Sequence, residues 1–174
     1  MVLLGWAVGK GSTPLDDWFS QFRHSPARWL LLFTDPWVLA SVLALGLAVA
    51  LSARRWRLAT MMVVAPLIGI VLAQLLKRLF GRQNDGALAY PSGHTTAAVV
   101  VVGMIVVLAA GAVWVVLSAL VFSALAVLGQ AVTYHYFTDT IGAVLLGTAV
   151  VCIAALVAEL DRRQPRCDAD HTGG

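Results

Sequence analysis

Charged side chains are scarce in this sequence. Asp, Glu, Lys and Arg make up 12% of its 174 residues, whereas 60% are hydrophobic and the mean hydropathy is +0.85. Soluble domains carry about 25% charged and about 45–50% apolar residues, so this composition excludes an ordinary soluble domain and indicates an integral membrane protein. We expect an all-α fold, with residues 1–174 forming a single transmembrane domain.

Cysteines and clustered aspartates are also scarce. Cys152 lies in an apolar run and Cys167 lies near the C-terminus, which does not suggest a disulfide framework. The net charge of +3 comes from basic residues at the ends of loops, so nucleic acid is not expected as a partner. Without an aspartate cluster suited to Mg²⁺, neither a metal nor another cofactor is predicted. Residues 1–9 have no basic residue ahead of their apolar part and do not resemble a signal peptide.

Uncharged runs divide the remaining chain into candidate membrane spans. Residues 37–53 and 58–76 are uncharged over 17 and 19 residues, which is long enough to cross the hydrocarbon core of a bilayer. Residues 141–158 form the last such run, ahead of a polar tail at 159–174. We therefore expect an integral membrane helical bundle of about five spans, with its transmembrane core at 37–158.

The N-terminal 35 residues carry a signal for the start of a helix. Ser12–Asp17 combines hydroxyl caps, a proline and two acids, which favour the positive end of a helix dipole. Four large apolar residues then share one helical face: Leu15, Trp18, Phe19 and Phe22. This amphipathic helix either packs on the bundle or lies in the headgroup layer as an interfacial helix. Residues 1–9 are either a surface stub or the fragment of a sixth span.

The 40 residues between His94 and His135 contain no charge. As one helix they would be about 60 Å long, which is about twice the thickness of the hydrocarbon core. They must therefore form a hairpin, and we expect its turn near Ala110-Gly111-Ala112. Both ends of a hairpin emerge on the same membrane face, so the two histidines should lie on the same side. A short loop brings Lys77 to that side as well.

The residues at the ends of this hairpin suit nucleophilic and acid–base chemistry. His135 and Asp139 are four residues apart and share a face if the segment is helical, so the carboxylate can hold the imidazole in one tautomer. The other ring nitrogen is then free to act as a nucleophile. His94, in its protonated form, can donate a proton to a leaving oxygen.

Neighbouring residues suit the binding of an anion. Lys77 and Arg82 supply positive charge for a group with several oxygens. Ser92 and Gly93 are small residues at the start of an apolar helix, where backbone N–H groups without partners attract anions. Together with the histidines they indicate a phosphoryl-transfer site.

Three elements of the sequence resemble the type 2 phosphatidic acid phosphatase (PAP2) superfamily of integral-membrane lipid phosphatases. They are KRLFGR at 77–82, PSGH at 91–94 and HYFTD at 135–139. The resemblance covers residues 77–139, and the flanking helices match only in character. It implies that His135 becomes phosphorylated, that Asp139 orients it and that His94 protonates the leaving group. It also implies a set of phosphate-binding residues: Lys77, Arg82, Ser92 and the Gly93 amide.

This chain departs from the family pattern in two places. The first element usually has an arginine seven residues after the lysine, followed by proline, but here these positions are Asn84 and Asp85. Arg82 comes two residues earlier, and we expect it to substitute. The third element usually has an arginine six residues before the histidine, where this chain has Gly129 beside the uncharged Gln130. The phosphate site therefore has fewer cations than is usual for the family.

The resemblance implies a metal-independent lipid phosphatase that is a multi-pass protein of the plasma membrane. The expected substrate is a phosphate or diphosphate of a polyprenyl or polyprenyl-linked cell-envelope lipid, and the alternative is phosphatidic acid or phosphatidylglycerophosphate. Two hypotheses of other classes are a non-catalytic lipid-phosphate binder or transporter, and a metal site built from His94, His135 and Asp139. Six basic residues lie on each side of the membrane. Discounting Lys77 and Arg82 as functional charges puts the site on the extracytoplasmic face.

Overall fold

The computed structural model describes residues 1–9, 11–23, 25–84 and 86–159, and within these ranges the chain is helical apart from one short β-hairpin. The expected all-α fold is confirmed. The polar tail beyond residue 159, including Cys167, and Asp85 lie outside the described residues. The elements are α1 (Val2–Val8), α2 (Pro14–Ser20), a 3₁₀ helix (Pro26–Thr34), α3 (Pro36–Ser52), α4 (Trp56–Phe80), β1 (Gln83–Asn84), β2 (Ala87–Leu88), α5 (Gly93–Leu108), α6 (Val113–Ala131) and α7 (Phe137–Glu159).

Four helical segments are long and apolar enough to cross a membrane, so the chain has the features of a multi-pass membrane protein. They are Pro26–Ser52, which joins the 3₁₀ helix to α3, and the helices α4, α6 and α7. The fifth apolar helix, α5, has only 16 residues and contacts α3, α4, α6 and α7. Val100 and Met104 of α5 are fully buried in the main core. The helices α3, α4, α6 and α7 therefore surround α5.

The uncharged stretch folds as the predicted hairpin. α5 ends at Leu108 and α6 begins at Val113. Between them, Ala110 and Gly111 have φ angles of 53° and 73°, the left-handed conformation that reverses the chain most easily at glycine. α5 begins one residue before His94, and α6 ends four residues before His135. Both histidines therefore lie at the same end of the bundle.

Helix α2 begins where the sequence predicts and is fixed by a reciprocal cap. The Thr13 hydroxyl accepts from the Asp16 N–H at 3.3 Å, and the Asp16 carboxylate accepts from the Thr13 N–H at 2.9 Å. Phe19 stacks on Phe137 with ring centroids 4.3 Å apart. Trp18 is 51% exposed and Phe22 is 41% exposed. The helix thus packs on the bundle through one part of its apolar face and leaves another part uncovered.

Candidate active site

The three sequence elements meet at one end of the bundle. Lys77 lies in the last turn of α4, Ser92 caps the start of α5, and Asp139 lies in the first turn of α7. Ser92 donates its backbone N–H to the carbonyl oxygen of Asp139 at 3.2 Å. This bond joins the start of α5 directly to the start of α7, so residues far apart in sequence become neighbours.

Lys77, Gly93 and His94 line a cavity of about 440 Å³ between α3, α4 and α5. A Cβ atom at Gly93 would meet no atom within 4 Å, so this first residue of α5 faces open space. The rest of the wall is largely apolar and includes Leu39, Leu43, Leu67, Ile70, Ala97 and Val101. The cavity therefore has a cationic, N–H-rich end and a long apolar side.

The imidazole of His94 is exposed and lies within electrostatic range of both His135 and Lys77. The side chain of His135 is 12% exposed and lies beside His94, although it is not among the residues that line the cavity. Lys77 interacts electrostatically with Asp139 as well. The predicted nucleophile, acid and cation thus occupy one region.

Asp139 lies behind His135 without bonding to it. The distance from His135 Nδ1 to Asp139 Oδ2 is 3.8 Å, which is too long for a hydrogen bond. The buried Nδ1 has no partner among the described residues, whereas Asp139 Oδ2 accepts from the Tyr136 N–H at 3.2 Å. Catalytic hydrogen bonds are often long before substrate binds and tighten in the reacting complex. A modest shift of the imidazole would complete this pair.

The side chain of Ser92 makes hydrogen bonds within the protein. It is fully buried, and its Oγ accepts from the N–H and the hydroxyl of Thr95 at 3.4 and 3.1 Å. Ser92 therefore fixes the turn that presents Gly93 and His94 to the cavity. The hydroxyl hydrogen of Ser92 remains available to donate a hydrogen bond.

Arg82 has different partners from those expected of a phosphate ligand. It follows the C-cap Gly81, whose left-handed conformation ends α4, and it is 0% exposed. It makes five hydrogen bonds, one for each N–H it carries. They go to the Gly11 carbonyl (3.1 and 2.8 Å), Asp16 (2.7 Å), Thr138 (2.6 Å) and Asp139 (2.7 Å). No N–H of this guanidinium is left for a phosphate, so Arg82 does not replace the family arginine as a direct ligand in this arrangement.

Asp16 is the residue that sequence reasoning missed. Its Oδ1 accepts from the Thr138 N–H at 2.9 Å, and its Oδ2 accepts from Arg82. Burial acts to raise the pKa of Asp16, but hydrogen bonds from Thr138, Thr13 and Arg82 outweigh it and hold that pKa below its usual value of 3.8. The sequence marks Asp16 as a helix cap, but nothing in it pairs Asp16 with an arginine 66 residues away.

The two positions where the family has arginine have structural roles here. A Cβ atom at Gly129 would lie 2.7 Å from the carbonyl carbon and oxygen of Leu30, so the 3₁₀ helix fills the space a side chain would need. Gln130 donates to Thr34 at 2.6 Å. Asn84 donates to the Tyr134 carbonyl oxygen at 2.9 Å and does not line the cavity. Lys77 is therefore the cation that the described part of the chain presents to the cavity.

Comparison with known proteins identifies no family for the chain. No protein-family model, curated protein or solved structure matches it. Within the residues that the structure describes, no three His, Cys, Asp or Glu side chains form a group that could hold a metal ion. The function of the protein is therefore inferred from its own residues and their geometry.

Proposed function

We propose that this protein is a metal-independent lipid phosphatase that acts through a phospho-histidine. Its substrate is a phosphate or diphosphate of a polyprenyl or polyprenyl-linked cell-envelope lipid. The observation that carries the proposal is the cavity in which Lys77, Gly93 and His94 form a polar end beside a largely apolar wall. We place the protein in the plasma membrane, with this site on the extracytoplasmic face.

The first step forms a bond between His135 and phosphorus. The Nε2 lone pair attacks the terminal phosphorus, the bond from phosphorus to the leaving oxygen breaks, and His94 gives its proton to that oxygen. The leaving oxygen is the ester oxygen of a lipid monophosphate or the bridging oxygen of a lipid diphosphate. Asp139 accepts the Nδ1–H of the imidazole and stabilises the positive charge that it gains. Lys77 and the N–H groups at the start of α5 stabilise the negative charge on the phosphoryl oxygens.

The second step returns the histidine to its starting state. A water molecule attacks phosphorus, His94 takes its proton, and the P–N bond to His135 breaks to release inorganic phosphate. Ser92 holds the turn in which the Gly93 amide faces the phosphate. Arg82 contributes by holding Asp139 in place.

Phosphate release in the presence of EDTA is the direct test of this proposal. We expect the purified protein to release phosphate from a polyprenyl diphosphate at an unchanged rate in EDTA, because its own side chains supply the charge and the nucleophile. Phosphatidic acid and phosphatidylglycerophosphate are assayed beside it, and faster turnover of either would favour the glycerolipid alternative. Binding without turnover would favour the binder or transporter, and loss in EDTA with rescue by a divalent ion would favour a metal site.

The apolar side of the cavity predicts sensitivity to the length of the lipid chain. Leu67 lines this cavity, and its neighbour Ile68 lines a separate apolar cavity of about 250 Å³ on another side of α4. Both side chains are exposed, at 59% and 47%. We expect Leu67→Trp to lower the ratio of kcat/KM for a long-chain to a short-chain phosphate by about tenfold, because the indole fills the apolar side.

Ile68→Trp is the matched control because it adds the same ring to the same helix outside the cavity. Its long-to-short ratio should stay within about twofold of the wild type. Equal ratios in the two variants would show that the lipid chain does not lie in the cavity beside Lys77.

A further inference from the structure

We propose that Asp16 of the N-terminal helix α2 is a positioning residue of the active site, acting through Arg82 and Thr138 on Asp139. This inference rests on the proposed function. It gives a role to the bonds that Asp16 makes to Arg82 and Thr138, which neither the cap of α2 nor the phosphoryl-transfer chemistry requires.

Three charged side chains lie in a continuous row, in the order Asp16, Arg82 and Asp139. Arg82 lies between two carboxylates, with Nη2 2.7 Å from Asp16 Oδ2 and Nη1 2.7 Å from Asp139 Oδ1. All three side chains are 0% exposed. Because guanidinium is planar and rigid, fixing one end of it fixes the other. Asp16 therefore fixes the position of Asp139 Oδ1, the oxygen that accepts from Arg82.

A second arm runs from Asp16 to the residue before Asp139. Asp16 Oδ1 accepts from the Thr138 N–H at 2.9 Å and from its hydroxyl at 3.0 Å. These bonds hold the first turn of α7 in place. That turn carries Asp139, whose Oδ2 lies 3.8 Å from His135 Nδ1. Asp16 thus constrains Asp139 through its side chain and through its backbone.

Capping alone does not explain these contacts. The reciprocal cap uses only the bonds between Thr13 and Asp16. Asp17, the next residue, is also acidic and lies in the same first turn, but it is exposed. The bonds of Asp16 with Arg82 and Thr138 are not part of the cap. They connect Asp16 to the active site.

The shared guanidinium has an electrostatic consequence for the reaction. If Asp139 were the only carboxylate beside Arg82, the guanidinium would neutralise it. Asp139 would then attract a positively charged imidazole less strongly. With Asp16 present, the three groups carry a net negative charge in a region of low dielectric, where such charge acts strongly. His135 gains positive charge as it attacks phosphorus, while His94 lies near it on α5 and Lys77 lies near His94 on α4. The extra carboxylate offsets their repulsion in the transition state.

The test compares Asp16→Asn with Asp17→Asn, which remove the same charge from adjacent positions of one helix. We expect Asp16→Asn to lower kcat by about tenfold or more, with KM for the lipid phosphate and inhibition by inorganic phosphate unchanged, because Arg82 does not touch the phosphate. Asp17→Asn should retain wild-type kcat within about twofold. A rise in KM at unchanged kcat, or equal kcat in the two variants, would overturn the proposal.

Two further variants separate positioning from folding. Thr13→Ala removes the cap hydroxyl but leaves the Arg82 and Thr138 contacts of Asp16, so it should preserve kcat. Thr138→Val keeps the shape and the backbone N–H but removes the hydroxyl between Asp16 and Arg82, so it should lower kcat severalfold without changing KM. Loss of kcat in Thr13→Ala as large as in Asp16→Asn, or no change in Thr138→Val, would mean that Asp16 only holds α2 in place.

The same assay distinguishes this inference from the function on which it rests. If the wild-type protein and Asp17→Asn both release phosphate, the proposed function stands whatever Asp16→Asn does. If the wild-type protein releases none from any lipid phosphate, the proposed function fails, and the positioning role fails with it.

Discussion

Replacing His135 with alanine should lower phosphate release by at least about a thousandfold, because no other group can take over the bond to phosphorus. His135 is the imidazole backed by a buried carboxylate, with Asp139 Oδ2 3.8 Å from its Nδ1. The measurement is the rate of phosphate release from a polyprenyl diphosphate by purified variant and wild type. Tyr134→Phe is a suitable control, because Tyr134 is a neighbouring exposed side chain that lies outside the proposed chemistry.

The covalent intermediate gives a second readout of the same variant. A phosphoramidate survives alkali and is lost in acid, unlike a phosphate ester of serine. Wild-type protein quenched in alkali during turnover of a substrate labelled in the transferred phosphate should therefore carry label, and His135→Ala should carry none. Label of equal amount on His135→Ala, or phosphate release at more than about a tenth of the wild-type rate, would contradict a nucleophilic role for His135.

Most of the fold could be predicted because charges are so scarce in the sequence. An uncharged stretch twice as long as a membrane span has to turn back, and the turn at Ala110 and Gly111 lies where the lengths require it. The start of α2 was also predictable, since Thr13 and Asp16 form a local cap three residues apart. Such features depend on neighbours in sequence or on the thickness of a bilayer. The placement of His94 and His135 at one end of the bundle follows from them.

The partners of Arg82 could not be predicted in this way. Its side chain turns into the protein after Gly81, and it reaches Asp16 and Asp139, which lie 66 and 57 residues away. No spacing rule connects positions so far apart, and the resemblance to lipid phosphatases indicated a phosphate ligand instead. The contact between Gly129 and the backbone of Leu30 is equally non-local. The sequence thus predicted that His94 and His135 lie at one end of the bundle, but not how the charges near them are shared.

Arg82→Ala should destabilise the protein by about 3–5 kcal/mol, because removing a buried guanidinium leaves its carboxylate partners without compensation. Arg78→Ala, which removes an exposed arginine from the last turn of α4, should change the free energy of unfolding by no more than about 0.5 kcal/mol. Denaturant unfolding in detergent micelles measures both. The remaining folded Arg82→Ala protein should also release phosphate far more slowly than Arg78→Ala.

Lowering the pH should reduce the difference in the free energy of unfolding between Arg82→Ala and the wild type. In the wild type the pKa of folded Asp16 lies below its usual value of 3.8, so its contribution is fully present above about 4 and is lost as the pH falls through that lower pKa. Arg82→Ala removes one of the hydrogen bonds that lower the pKa of Asp16, so this pKa rises in the variant and acid relieves part of the damage. Unfolding at pH 7 and at about pH 3 measures the difference. Small effects of equal size for Arg82→Ala and Arg78→Ala would show that Arg82 is an ordinary loop charge. An equal difference in the free energy of unfolding at both pH values would show that the loss of Arg82 does not act through the ionisation of Asp16.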